Sequence, residues 1–159
     1  AVGTLVSFFY HANPVYWFLY TLLFLLFINF INLLDLRPGR AIKTFLILMF
    51  PLLLLGRFEY IWIFIPLMAS IPFYLKGEMK EQYMLGDTGA NLMGGILGFY
   101  SITSISTIPA FIMTVILLFF HILAEYYSFS KWIESVPVLR FIDNIGRLKS
   151  DGDTSMDRV

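Results

Sequence analysis

Two short segments of this chain concentrate the residue types that handle charge. In the first, Asn29, Asn32 and Asp35 recur every three residues, and Arg37, Pro38, Gly39, Arg40 and Ala41 follow at once. On a helix that spacing makes a slowly spiralling polar stripe. Such a stripe is costly inside a membrane unless its members are paired or face a wet cavity. Two guanidinium forks beside a carboxylate offer places for phosphate. The plainer reading is helix-to-helix hydrogen bonding by the two Asn, a cap at Asp35 and topology signals at Arg37 and Arg40. The second segment is Leu85-Gly86-Asp87-Thr88-Gly89-Ala90-Asn91, followed by Gly94 and Gly95. A helix start with little side-chain bulk lets a phosphate approach closely. A carboxylate there favours a hard cation, since Mg²⁺ takes one or two carboxylates plus substrate phosphates. Again a plainer reading stands beside it: Ala90, Gly94 and Gly98 are four apart, a small-residue packing face, and Asp87 is an N-cap.

Few other residues invite chemistry. His11 has no visible partner in the sequence. His121 lies inside an apolar run and reads as a packed or hydrogen-bonded imidazole. There is no cysteine, which excludes disulfides and thiolate metal sites. The formal net charge is zero, so the chain lacks the basic footprint of a nucleic-acid binder.

The elements that must position these residues are membrane helices. Of the 159 residues, 58% are hydrophobic and 14% charged, against about 25% charged in a soluble domain. A hydrocarbon core of about 30 Å needs roughly 20 helical residues. Apolar runs predict spans at 14–34, 40–56, 60–75, 89–104 and 109–127. Pro51 is expected to kink the second. From Thr88 to Ala124 no Asp, Glu, Lys or Arg occurs; one helix of that length would measure about 55 Å, so the polar stretch Ser101–Thr107 before Pro109 is the expected turn. The fold class is therefore an all-α integral membrane protein of about five transmembrane helices in residues 1–128. An amphipathic cytoplasmic segment over 129–147 and a disordered tail over 148–159 follow.

Alternation of five spans puts ten of the eleven basic residues on one side, which the positive-inside rule makes cytoplasmic. Arg57 alone falls on the other. Both polar segments then lie at the cytoplasmic face of a cell membrane, one on each side of a helical hairpin.

With those residues in view, the chain resembles the polyprenyl-phosphate N-acetylhexosamine-1-phosphate transferase superfamily, to which phospho-N-acetylmuramoyl-pentapeptide transferases belong. That family's signature Asn-x-x-Asn-Leu-x-Asp-Gly-x-Asp-Gly-Leu-Ala corresponds here to Asn29-x-x-Asn32-Leu33-x-Asp35-Leu36-x-Pro38-Gly39-Arg40-Ala41. Its Met-Gly-Asp-x-Gly-Ser corresponds to Leu85-Gly86-Asp87-Thr88-Gly89-Ala90. The resemblance covers most of residues 14–128. It implies a Mg²⁺-dependent glycosyltransferase that moves a sugar 1-phosphate from a UDP-sugar to a polyprenyl phosphate such as undecaprenyl phosphate. UMP is released in this first step of cell-wall glycan assembly. It implies Asp87 as the Mg²⁺ ligand, Asp35 and Asp87 as the catalytic carboxylates, and Asn29 and Asn32 at the nucleotide-sugar.

Departures are visible as well. Pro38 stands at the signature's second acidic position and Leu36 at its neighbouring glycine. Arg37 and Arg40 replace apolar residues, and their expected role is to grip phosphate. The family's histidine-rich loop is replaced by Phe141-Ile142-Asp143-Asn144-Ile145-Gly146-Arg147, and its earlier Asp-Asp motif is missing. Family members have about ten spans, so a chain that begins at Ala1 reads as a C-terminal half. Two other readings stay open: a non-catalytic truncated relative that binds lipid phosphate or a membrane partner, and half of a transporter with a midplane site. A homodimer stays open too.

Overall fold

The structure is a computed structural model and describes residues 2–11, 13–80, 82–126 and 135–144. The described residues are helical and contain no strand. The elements are α1 (Val2–Tyr10), α2 (Pro14–Leu34), α3 (Arg40–Leu55), a 3₁₀ helix (Phe58–Ile63), α4 (Ile65–Glu78), α5 (Gly86–Ser104), α6 (Thr107–Tyr126) and α7 (Pro137–Asn144). Two of them, α2 and α6, are long and apolar enough to cross a membrane.

The expected count of about five spans is not reached by that measure. Helix α3 has 16 residues and α4 has 14, about 24 Å and 21 Å at the standard rise. The expected third span differs most. Residues 58–63 form a 3₁₀ helix, and the α-helix starts only at Ile65. Pro66 explains the delay: an α-helix begun at Tyr60 would need an amide proton at 66 to reach the carbonyl of 62, and proline has none. Pro51 lies inside α3, which continues to Leu55. Of the expected segment 129–147, only 135–144 is described; the tail 148–159 lies outside the described residues.

Helix α2 is the centre of the bundle. Asn13 caps its start by accepting a hydrogen bond from the Val15 amide at 2.9 Å, and Pro14 occupies the first turn, where its missing N–H costs nothing. Its main partner is α5, which runs antiparallel along it. Tyr20, Leu23, Phe27 and Ile31 on α2 and Ala90, Leu97 and Tyr100 on α5 are almost completely buried. Small residues let the two backbones close up. A Cβ at Gly94 would run into the Ile28 backbone and lie 2.7 Å from the Phe27 carbonyl oxygen; one at Gly98 would lie 2.9 Å from the Phe24 Cα. This close van der Waals fit holds the two helices together.

Polar bonds tie the end of the bundle opposite Asp35. Tyr20 Oη donates to the Ile105 carbonyl at 2.8 Å, and Tyr100 Oη to the Arg57 carbonyl at 2.9 Å. His11 does have partners there. Its ring stacks on Tyr20 at 4.0 Å, and Nε2 sits 3.2 Å from the Ile102 carbonyl. His121 is a packed imidazole whose Nδ1 lies 2.7 Å from the Leu117 carbonyl one turn back.

Gly94→Ala should lower stability by about 1–3 kcal/mol, the cost of overpacking a filled contact. Gly95→Ala, next door, meets only the Phe24 ring edge at 4.0 Å and should be neutral. Thermal unfolding in detergent measures both, and equal effects would refute a backbone contact at Gly94.

Candidate functional site

The antiparallel pairing of α2 and α5 decides which side chains meet. The backbones touch at Ile28 and Gly94. Seven residues onward along α2 lies Asp35, and seven residues back along α5 lies Asp87. Both steps cover about 10 Å of helix axis, so the two polar segments arrive at the same end of the bundle.

Asp35 is the C-cap residue of α2, its amide bonded to the Asn32 carbonyl at 3.2 Å. The Gly86 backbone at the start of α5 lies close enough to favour the charged form of its carboxylate. Gly86 opens α5 with φ of 68°, a left-handed conformation that suits glycine, and no atom lies within 4 Å of where a Cβ would stand. The start of α5 is therefore uncrowded. Asp87 follows in its first turn with an exposed side chain. It is not the N-cap: that position belongs to Leu85, which makes no side-chain cap bond. Thus the carboxylate stays available at the positive end of a helix.

A third carboxylate belongs here that the motif reading missed. Glu78, the last residue of α4, is fully buried. Its Oε1 accepts the Leu85 amide at 2.9 Å, fixing the backbone immediately before Gly86 and Asp87. Three buried oxygens around this corner have no hydrogen-bond partner: Asn32 Oδ1, Asp35 Oδ1 and Glu78 Oε2. Buried polar atoms are rarely left so, and each marks a place for a proton, a water or a cation. In sequence Glu78 sits in Lys76-Gly77-Glu78-Met79-Lys80, which reads as a solvated loop. Only the length of α4, which carries Glu78 inward at its last turn, separates it from its charged neighbours.

The electrostatics follow from crowding. Burial pushes the Asp35 carboxyl up from the ordinary aspartate range, and the Glu78 charge adds to this. The Gly86 amide pulls the other way, and the Asp87 charge contributes a smaller push upward. The donor set is all oxygen, which suits Mg²⁺ better than a softer ion. Among the described residues, however, no three His, Cys, Asp or Glu side chains gather closely enough to form a ready-made cage. A cation here would be held by Asp87 together with ligand phosphates.

The remaining sequence candidates divide. Asn32 joins the site through its orphaned oxygen, whereas Asn29, one turn earlier, is exposed on α2. Arg40 is buried and engaged elsewhere: its Nε and Nη2 donate to Asp143 Oδ1 and Oδ2 at 2.8 and 3.0 Å. Arg37 Nη1 lies 3.8 Å from Asp143 Oδ2. The expected phosphate forks thus hold a carboxylate of this same chain. Gly39, at φ of 75°, starts α3 and lies under Met79, so the first motif loop also touches the end of α4.

Asp35 yields a signed pH prediction. Its raised folded-state pKa means that the folded protein binds this proton more tightly than the unfolded chain does. The associated stability is complete below the ordinary aspartate range and is lost as pH rises through the folded value. Asp35→Asn should therefore raise the unfolding temperature at neutral pH and change it little near pH of about 3. Glu78→Gln, which keeps an acceptor for the Leu85 amide, should shrink the neutral-pH gain. Thermal scans across pH test both; a gain independent of pH would exclude burial of the charge as its cause.

No known protein family, curated protein or solved structure matches this chain.

Proposed function

We propose that this chain is the motif-bearing part of a Mg²⁺-dependent sugar-1-phosphate transferase. Its donor is a UDP-sugar and its acceptor a polyprenyl phosphate, joined at the cytoplasmic face of a cell membrane. The observation that carries the reading is the meeting of Asp35 and Asp87. They are far apart in sequence, yet the α2–α5 register delivers both to one corner, where the Asp35 carboxyl feels the charges of Glu78 and Asp87.

Adjacent structure supports the choice of a lipid acceptor. An apolar groove of about 600 Å³ runs between α4 and α5, lined by Ile71, Phe73, Leu92 and Met93. It ends at Leu85, Thr88 and Gly89, on both sides of Asp87 in the chain. A prenyl chain in the groove would bring its phosphate to the start of α5. The phosphate oxygen would attack the sugar-bearing phosphorus of the donor; the bond to the bridging oxygen would break, and UMP would leave with that oxygen. Mg²⁺, when bound, would offset the diphosphate charge. Asp87 would hold the ion, the open amides of α5 would orient phosphate oxygens, and Glu78 would keep the Leu85–Asp87 turn in place. Asp35, short of one hydrogen bond and pushed toward neutrality, is suited to hold a proton at the acceptor phosphate.

The same reading includes five membrane crossings, by α2 to α6. Helix α6 exposes Phe111, Ile112, Val115, Ile116, Phe119 and Ile122, and α3 exposes Leu46, Ile47, Phe50 and Leu54. Apolar surface on that scale seeks lipid or partner helices. The bases favour the same orientation. Arg37, Arg40, Lys43, Lys76 and Lys80 lie at the Asp35–Asp87 end, while the Arg57 amide bonds the Ser104 carbonyl at the other.

The decisive assay follows UMP release from the full-length protein in detergent, with undecaprenyl phosphate, Mg²⁺ and a panel of UDP-sugars. Release should require both metal and lipid phosphate and fall by about 10³-fold or more in Asp87→Asn, the scale for removing an essential charge-stabilising group. No release with any donor from folded protein would replace the enzyme with a non-catalytic relative. Topology has its own test, because the chain lacks native cysteine. Single cysteines at Gln82 and Glu59 should be labelled from opposite faces of intact vesicles; labelling from one face would end the five-span arrangement.

A further inference from the structure

Helix α7 is attached to the rest of the molecule in an unusual way. It is eight residues long, and among the described residues no other helix packs extensively against it. Its Phe141 is 71% exposed. Among the described residues an ionic cluster engages its C-terminal end. The Asp143 carboxylate takes the two-pronged Arg40 fork, with Arg37 Nη1 behind it at 3.8 Å. Lys43 Nζ donates to the Ile142 and Asp143 carbonyls at 3.1 and 2.7 Å. Three bases of the first motif loop and the start of α3 thus converge on one acidic residue and the carbonyl end of one helix turn.

This is a built anion site. Arg40 is 4% exposed and Asp143 6% exposed, so the pair is shielded from water and its hydrogen bonds are of the strong, charge-assisted kind. The planar guanidinium that donates to two carboxylate oxygens can donate to two phosphate oxygens with the same geometry. Here one partner sits on the bundle and the other on an eight-residue helix that leaves Phe141 exposed. A carboxylate held by a guanidinium fork can be exchanged for another anion of the same geometry.

The geometry points to Asp143 as an internal anion occupying a phosphate site made by Arg37, Arg40 and Lys43, which an external phosphate group enters by displacing α7. Phosphate binding and release of α7 are then one event. By its apolar Phe141 and its short amphipathic length, the freed helix is suited to lie on the membrane surface. The ligand class is a phosphate or diphosphate ester; a lipid phosphate and a soluble diphosphate share that chemistry. The inference requires no transfer reaction, so a failed UMP-release assay leaves it standing.

Spin labels at Ile47→Cys on α3 and Phe141→Cys on α7, both exposed positions, report the distance between the bundle and α7 in the full chain reconstituted into phosphatidylcholine nanodiscs. One arm adds inorganic pyrophosphate. A second replaces part of the lipid by phosphatidic acid, and a third adds sodium chloride to the same ionic strength. The pyrophosphate or the phosphatidic acid arm should lengthen the distance, and which one does so identifies the source; chloride should not. Asp143→Asn should show the long distance without any phosphate. It should also bind pyrophosphate about tenfold more tightly, because the competent state no longer has to be opened. Arg40→Gln should release α7 and abolish the response to phosphate. A distance that neither phosphate source changes, or that chloride changes equally, would overturn the displacement. So would an Asp143→Asn helix that stays docked, or one that detaches with no gain in pyrophosphate affinity, which would make the pair a structural clamp.

Discussion

The contact of Gly94 and Gly98 with the α2 backbone is the constraint on which the rest of the molecule depends. Small residues at a helix crossing let the two backbones approach closely, and the association of α2 with α5 rests on that approach. A single methyl at Gly94 would collide with Ile28. Because the helices are antiparallel, with Gly94 against Ile28 and Gly98 against Phe24, these contacts fix the register along both. That register is what converts two distant polar segments into one corner. It also explains why the small residues and Asp87 share a helix: the packing face of α5 and its charged start are two ends of one positioning device.

At that corner the fold accepts electrostatic cost. Glu78 is buried with one oxygen unsatisfied, and Asp35 is pushed up by burial and by its acidic neighbours. Charges of one sign gathered at low dielectric destabilise each other unless a proton or a cation intervenes. Such an arrangement does not help a helical bundle to fold. Replacing these groups with amides would relieve the repulsion, and a sequence selected for stability alone would carry them. The carboxylates thus carry an electrostatic cost at this corner that a proton or a cation would relieve.

The helical class of the fold was legible in the long uncharged runs, and the spacing drew attention to Asn32, Asp35 and Asp87, which the fold brings to one corner. The small-residue face at Ala90, Gly94 and Gly98, first read as the plain alternative to chemistry, proves to be packing that serves the site. Other features were illegible for physical reasons. Glu78 lies among lysines and looks solvated; its burial depends on where α4 ends in space. The start of α4 at Ile65 follows from the missing amide proton of Pro66, while hydropathy continues smoothly across 60–75. Asp143 could not be assigned to Arg40, since that pairing spans most of the chain and neither residue has a local pattern that announces it.

The first motif loop is the point where these facts combine. It leaves α2 at Asp35, which lies beside Gly86 and Asp87 at the start of α5; it turns at Gly39 beneath Met79 at the end of α4; and it enters α3 at Arg40, which grips Asp143 on α7. A loop of so few residues that joins two helices and meets three others cannot move at one end without consequence at the other. An anion drawn to the guanidinium end would loosen α7, and a cation drawn to the carboxylate end would relieve the strain between Asp35, Glu78 and Asp87. A diphosphate with its cation carries both charges, and it is the kind of ligand that can address the two ends of this loop together.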